Sequence, residues 1–296
     1  MSNLSLFDLT GKKALVTGGA MGIGRACATA LAMGGADVAI IDLNEEAGEK
    51  AVETIKKMGK NAFFVRCDIS SKEQIQDMMA AVIEQFGRLD IAINNAGFGI
   101  APGGSETLEK DAWDKVIGVN LTGTFICAQA QAQQMIKQSP TGGKIINIAS
   151  MYATIAGGNC AYNAAKAGVV HLTKTLAAEW GRFNINVNCF SPSWVMTPGM
   201  RSVPAEVLAR MREVTPIGHI QRPEDIYGAV VYLASNASNF VTGHNLIVDG
   251  GHTLNTWLIP LERDIPPRVS PEEEPVEMKK DLDALSEPYD NNGGNT

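Results

Sequence analysis

The chain has 296 residues, 45 % of them hydrophobic and 19 % charged, enough for a large buried core and unlike a disordered or fibrous protein. A formal net charge of −7 lacks the basic surface that nonspecific nucleic-acid binding requires, so no nucleic-acid partner is expected. Five dispersed cysteines and four scattered histidines show no metal-ligand spacing, the opening MSNLSLFDLTGKK lacks a signal-peptide pattern, and no apolar run reaches membrane-span length. A cytoplasmic protein without a metal or a membrane partner is expected, its cysteines serving as small buried apolar residues.

Short apolar, β-branched runs alternate along the chain with longer segments of helical period. KALVTG is followed by a helix from about Ile23, ADVAIID by EEAGEKAVETIKKMG, and NAFFVRCD by SKEQIQDMMAAVIEQFG. LDIAINNAG precedes one long segment, DAWDKVIGVNLTGTFICAQAQAQQMIKQ; GKIINIAS precedes AYNAAKAGVVHLTKTLAAEWG; then come INVNCFSPS, PEDIYGAVVYLAS and HNLIVDGG. Runs apolar on both faces suit a parallel sheet covered by helices on both sides, so an α/β fold with a doubly wound parallel sheet is expected. No linker interrupts the pattern, which places one domain over 1–251. The remainder, 252–296, is apolar at its start (LNTWLIPL) and then Pro-, Glu- and Asp-rich, with ten acidic residues against four basic ones. Such a composition makes a solvating extension, although Trp257 and its apolar neighbours could equally dock on a partner subunit.

After the first run, TGGAMGIGRA sets Gly18, Gly22 and Gly24 where a strand turns into a helix. Glycine permits the tight turn and a close approach of backbone to a pyrophosphate, which the helix N-terminus attracts. Asp42 closes the next strand eighteen residues after Gly24, near the spacing of an acid that holds a ribose 2′-hydroxyl. A carboxylate there repels a 2′-phosphate, and no lysine or arginine in 18–24 attracts one, so NAD is favoured over NADP. The competing role for Asp42 is a strand-end turn residue. Asp68, ending the third strand, fits either adenine contact or a helix N-cap.

Tyr162 and Lys166 stand four residues apart, so on a helix both leave the same face about one turn apart. A lysine held there is expected to favour the phenolate and make the tyrosine a general base. The competing reading is a solvated face with a snorkelling lysine, for which the spacing alone suffices.

Taken together these motifs resemble the short-chain dehydrogenase/reductase family in its compact form. Thr17, Gly18, Gly22 and Gly24 meet the Thr-Gly-x-x-x-Gly-x-Gly pattern, Asn94 to Gly97 the Asn-Asn-Ala-Gly, Tyr162 and Lys166 the Tyr-x-x-x-Lys, and Thr242 to Gly251 the late Thr-Gly-x-x-Leu-x-Val-Asp-Gly-Gly. The resemblance covers residues 8–251 and implies a Rossmann-like domain, NAD as cofactor, and reversible hydride transfer on a secondary alcohol. It implies a catalytic set of Asn120, Ser150, Tyr162 and Lys166. Ser150 lies twelve residues before Tyr162, one fewer than in many members; Ala149 fits the longer spacing but has no hydroxyl. Asn120, in mid-helix, would bind a water that contacts Lys166 or else be merely structural. Cofactor contacts are implied for Gly18, Met21, Gly22, Ile23, Gly24, Asp42, Asp68, Ile69, Asn95, Ala96, Gly97, Tyr162, Lys166, Val195 and Thr197. One departure is Ser193 after Pro192, where the family usually has glycine; Trp194 beside it is placed at the substrate mouth.

INIASMYATIAG and SPSWVMTP look similar to members acting on sugars and polyols, so a polyol, sugar or sugar acid is the expected substrate. Within the family the alternative is a 3-oxoacyl-thioester reductase, which normally prefers NADPH, against Asp42. The alternative from another class is a non-catalytic dinucleotide-binding sensor or scaffold, which has no need of all four catalytic residues. Family members commonly form tetramers or dimers, so a homo-oligomer, most simply a homotetramer, is implied.

Overall fold

The computed structural model describes residues 3–99, 104–200 and 202–254. Seven strands form one parallel sheet in the order β3-β2-β1-β4-β5-β6-β7. They are β1 (Lys13–Thr17), β2 (Asp37–Asp42), β3 (Ala62–Arg66), β4 (Ile91–Asn94), β5 (Gly143–Ile148), β6 (Ile185–Pro192) and β7 (Asn245–Val248). Order reverses between β1 and β4, the switch point outside whose carboxyl ends an open α/β sheet holds its ligand. The register aligns Val16 with Ile40 and Ile93, and Ile93 with Ile146.

Alternation along these strands builds two cores. Val16, Ile40, Ile93, Ile146 and Phe190 point to one face, against α1 (Gly22–Met33) and α8 (Tyr227–Ala234). Leu15, Ile41, Ala92, Ile145 and Val187 point to the other, against α3 (Lys72–Phe86), α5 (Thr124–Lys137) and α6 (Cys160–Trp180). Each strand is apolar on both sides because each face is covered. Cys27, Cys67, Cys127 and Cys189 are buried and free, and burial pushes the Cys67 and Cys189 thiols up to about 11.

Helix ends follow local chemistry. Asn44 caps α2 (Glu45–Lys57) by accepting from Ala47 N, with Glu45 and Glu46 in the first turn and Lys56 and Lys57 in the last. Ser71 caps α3 through Gln74 N, and Gly87 ends it with a left-handed φ of 73°. Asn159 caps α6 through Ala161 N, which fixes where the helix bearing Tyr162 begins.

Two elements differ from expectation. The long central segment is not one regular helix: α4 (Lys110–Ile117) passes into a π-helical turn, Gly118–Gly123, before α5. The sequence reading also overlooked α7 (Ala205–Glu213), which follows Pro204 and buries none of its residues, so it leaves no apolar stripe to read. The extension expected from residue 252 lies outside the described residues after Leu254, Trp257 included.

Candidate active site

The carboxyl end of β1 runs into the glycine-rich turn. Gly18 and Gly22 have φ of 61° and 55°, a region costly for side-chain-bearing residues. A Cβ on Gly18 would lie 2.8 Å from Asn95 Nδ2, and one on Gly24 would lie 1.9 Å from Gly18 O. The Asn-Asn-Ala-Gly segment after β4 locks this turn. Thr17 Oγ1 accepts from Asn95 N (3.0 Å) and Ala96 N (3.1 Å), while Asn95 Nδ2 donates to Thr17 O and Gly18 O. A Cβ on Gly22 would meet Thr197 Cγ2 at 3.5 Å, so Thr197 overhangs the turn. Met21 is exposed at the N-terminus of α1, and Ile23 packs on the first core.

Asp42, at the end of β2, faces the same turn. Its Oδ2 accepts from Ala20 N (3.0 Å), and its Oδ1 accepts from Leu43 N and Asn44 N. Three of about four lone-pair sites are thus taken, leaving Oδ2 one acceptor position. Asp42 thus fills the strand-end turn role expected as the alternative, and one acceptor position stays open. Asp68 is not the N-cap of α3, which is Ser71; its Oδ1 instead accepts from Ser70 N and Oγ. Ile69 is buried, and both its carbonyl and its side chain pack against Gly123.

Across the switch point, the ends of β4 and β5 bring the remaining expected residues together. Lys166 is 4 % exposed; its Nζ donates to Ile148 O at 2.9 Å and lies 5.5 Å from the Tyr162 ring centroid. Ser150 follows β5, is 7 % exposed, and accepts from Tyr152 N as the cap of a short 3-10 turn, Met151–Ala153. Asn120 sits fully buried in the π turn, its Nδ2 donating to Phe98 O (2.8 Å) and Val116 O (3.0 Å). Its Oδ1 has no partner among the described residues, and a Cβ on Gly97 would stand 2.4 Å from that oxygen and 3.6 Å from Lys166 Nζ. The orphaned acceptor and the lysine therefore both border Gly97.

The electrostatics correct one expectation. The Tyr162 pKa is raised, not lowered, in the chain alone: burial raises it, the Ser150 hydroxyl draws it down, and Tyr152 adds to the rise. Burial also pushes Lys166 down to about 8. The spacing foresaw the proximity, but desolvation outweighs it.

Val195 is 5 % exposed and held in a bridge to Gln221, and Met196 N donates to Gln221 O. Ser193, where family members usually carry glycine, donates its N–H to Gln221 Oε1 at 2.9 Å. The sequence reading missed Gln221, which fastens this loop from a distant position with no motif. Trp194 Nε1 donates to the Tyr152 hydroxyl, and the Trp194 ring meets His252 at 4.3 Å between centroids. Among the described residues no group of three His, Cys, Asp or Glu could hold a metal ion, and no helix is long and apolar enough to cross a membrane.

A family model described as enoyl-(acyl carrier protein) reductase matches residues 18–253. The chain is 40 % identical to D-threitol dehydrogenase of Mycolicibacterium smegmatis, over 84 % of this chain and 95 % of that one. A crystal structure of a short-chain type dehydrogenase/reductase from Mycobacterium marinum superposes with a TM-score of 0.80 at 36 % identity, covering 86 % of this chain and all of the other. A gluconate 5-dehydrogenase from Burkholderia cenocepacia, in complex with NADP and tartrate, gives a TM-score of 0.80 at 35 % identity, covering 85 % and 99 %.

Proposed function

The chain belongs to the short-chain dehydrogenase/reductase family, and from that premise we propose that it oxidises a secondary alcohol of a polyol, sugar or sugar acid reversibly, with NAD as its cofactor. The observation that carries this reading is the convergence of Ser150, Tyr162 and Lys166 beside a glycine turn in which side chains at Gly18 and Gly24 would collide with backbone. That cradle and the free acceptor on Asp42 fit a dinucleotide.

Each residue has a defined task. Tyr162 takes the proton of the substrate hydroxyl in oxidation and returns it in reduction. Ser150 donates to the same substrate oxygen, where charge develops. Lys166 holds positive charge beneath the Tyr162 ring, and Asn120, whose Oδ1 is left without a protein partner, would bind a water that contacts Lys166. Thr197, Val195 and the Asn95 to Gly97 backbone line the cofactor cradle. The bound nicotinamide supplies the hydride acceptor or donor.

Asp42 supports NAD, because a 2′-phosphate would set a second negative charge against a carboxylate already fixed by three N–H groups. Asp42→Ala is expected to narrow the NAD-to-NADP preference by about tenfold, read as the ratio of kcat/KM values. The ratio is the proper readout, since loss of the Ala20 contact weakens both cofactors; an unchanged ratio removes Asp42 from this role. Residues 1–251 form the catalytic domain in this reading, within a cytoplasmic homo-oligomer, and gel filtration of the chain truncated after Gly251 tests any contribution of the acidic extension.

Following reduced-cofactor formation with polyols, sugar acids, steroids and simple secondary alcohols, each with NAD and with NADP, tests the whole reading. Oxidation of steroids or simple alcohols alone, or dependence on NADP alone, overturns it.

A further inference from the structure

Beside the Ser150–Tyr162 pair stands a third hydroxyl that the proposed chemistry does not use. Tyr152 follows Ser150 by two residues, its N–H donates to Ser150 Oγ, and it is near enough to Tyr162 to act on that group's ionisation. Trp194 Nε1 donates to the Tyr152 oxygen at 3.3 Å. With its oxygen already accepting, the phenol has its own O–H to place, and among the described residues no acceptor receives it. A phenol in this state is a donor poised for a ligand.

The surroundings hold it rigidly. On one side Gly157 and Gly158, with φ of 155° and 67°, press a turn against the ring; a Cβ on Gly157 would lie 2.5 Å from it. On the other, Trp194 is backed by His252, tilted 60° to it. His252 is delivered by a turn built on Asp249, a 7 % exposed carboxylate that accepts from Gly251 N, Thr253 N and Thr253 Oγ1. Burial holds the His252 pKa below the ordinary histidine range against the opposing pull of the Asp249 carboxylate, so the ring that backs Trp194 is a neutral imidazole near pH 7. A neutral wall ending in one donor suits a hydroxyl better than a carboxylate.

We propose that Tyr152 binds the hydroxyl on the carbon next to the reacting one, with Trp194 and His252 as positioning residues, so that the substrate class is the vicinal diol. This inference rests on the proposed alcohol oxidation and deepens it. Ser150 and Tyr162 take the reacting oxygen, Tyr152 takes its neighbour, and the two anchors together fix which carbon is presented for hydride removal.

The test uses the full-length enzyme with NAD and two secondary alcohols of equal carbon number, erythritol, which carries neighbouring hydroxyls, and sec-butanol, which has none. The wild type is expected to favour erythritol in kcat/KM. Tyr152→Phe, which keeps the ring and its glycine clamp, is expected to lower the erythritol-to-sec-butanol ratio about tenfold, chiefly through the KM for erythritol. Trp194→Phe, which removes the N–H that orients the phenol together with part of the ring packed on His252, is expected to lower it less. An unchanged ratio in Tyr152→Phe overturns the inference, as does a wild type that prefers sec-butanol, and in both cases the alcohol-oxidation reading survives. Turnover of neither substrate, nor of any other alcohol with NAD or NADP, overturns both.

Discussion

Tyr162→Phe is expected to lower alcohol oxidation by about 1,000-fold while NADH affinity, read by fluorescence titration, stays within a few-fold. The substitution removes one oxygen and keeps the ring that lies 5.5 Å from Lys166 Nζ. The same residue sets the pH dependence. Oxidation needs the deprotonated phenol, and burial raises its pKa, so the kcat/KM for the alcohol should climb with pH into the alkaline range and that for the ketone should fall. Lys166, pushed down to about 8, loses charge over part of the same range, which works against the phenolate and flattens the climb. The Phe variant should lose the pH-dependent limb altogether. Full activity in that variant, or a residual rate with the wild-type pH profile, would remove Tyr162 from proton transfer.

Gly24→Ala carries the second large effect. A methyl there would lie 1.9 Å from Gly18 O and 2.5 Å from Asn95 Nδ2, far inside contact distance. Neither neighbour has room to yield, because Asn95 holds Thr17 O and Gly18 O while Thr17 Oγ1 holds Asn95 N and Ala96 N. Overpacking against a fixed backbone is expected to cost about 3 kcal/mol, a fall in Tm of roughly 6–12 °C. Distorting the N–H groups that face the cofactor should weaken NAD binding on the order of 100-fold, measured by calorimetry at a temperature where the variant is folded. Gly181→Ala is the control, since a Cβ there meets nothing within 4 Å. A Gly24 variant that melts and binds like the control would show that the turn is not the tight cradle described above.

These effects trace to features of different legibility. Gly18, Gly22 and Gly24 were readable because a strand–turn–helix junction leaves a local mark, and the positive φ values at Gly18 and Gly22 state the same constraint in angles. Lys166 beside Tyr162 was readable because helical period converts a spacing of four into adjacency. The sign of the Tyr162 shift was not, because it depends on how much solvent the whole fold removes, and burial is not a property of spacing. Asn120 was noticed as an unfavourable mid-helix residue, but nothing local announces the π turn of Gly118–Gly123 that turns its Oδ1 toward Gly97.

Alternating apolar runs, glycine turns and the Tyr–Lys spacing are patterns within a few residues, so the sequence by itself determined the parallel sheet's character and the glycine cradle, and the family resemblance that these motifs carry together implied the hydride-transfer class. The tertiary structure alone decided what distant segments do to one another: Gln221 pinning the loop that holds Val195, Ser71 rather than Asp68 capping α3, and Trp194 meeting both Tyr152 and His252. Hydrogen bonds and desolvation act over a few ångströms in space whatever the separation along the chain, and for that reason they left no mark in the sequence order.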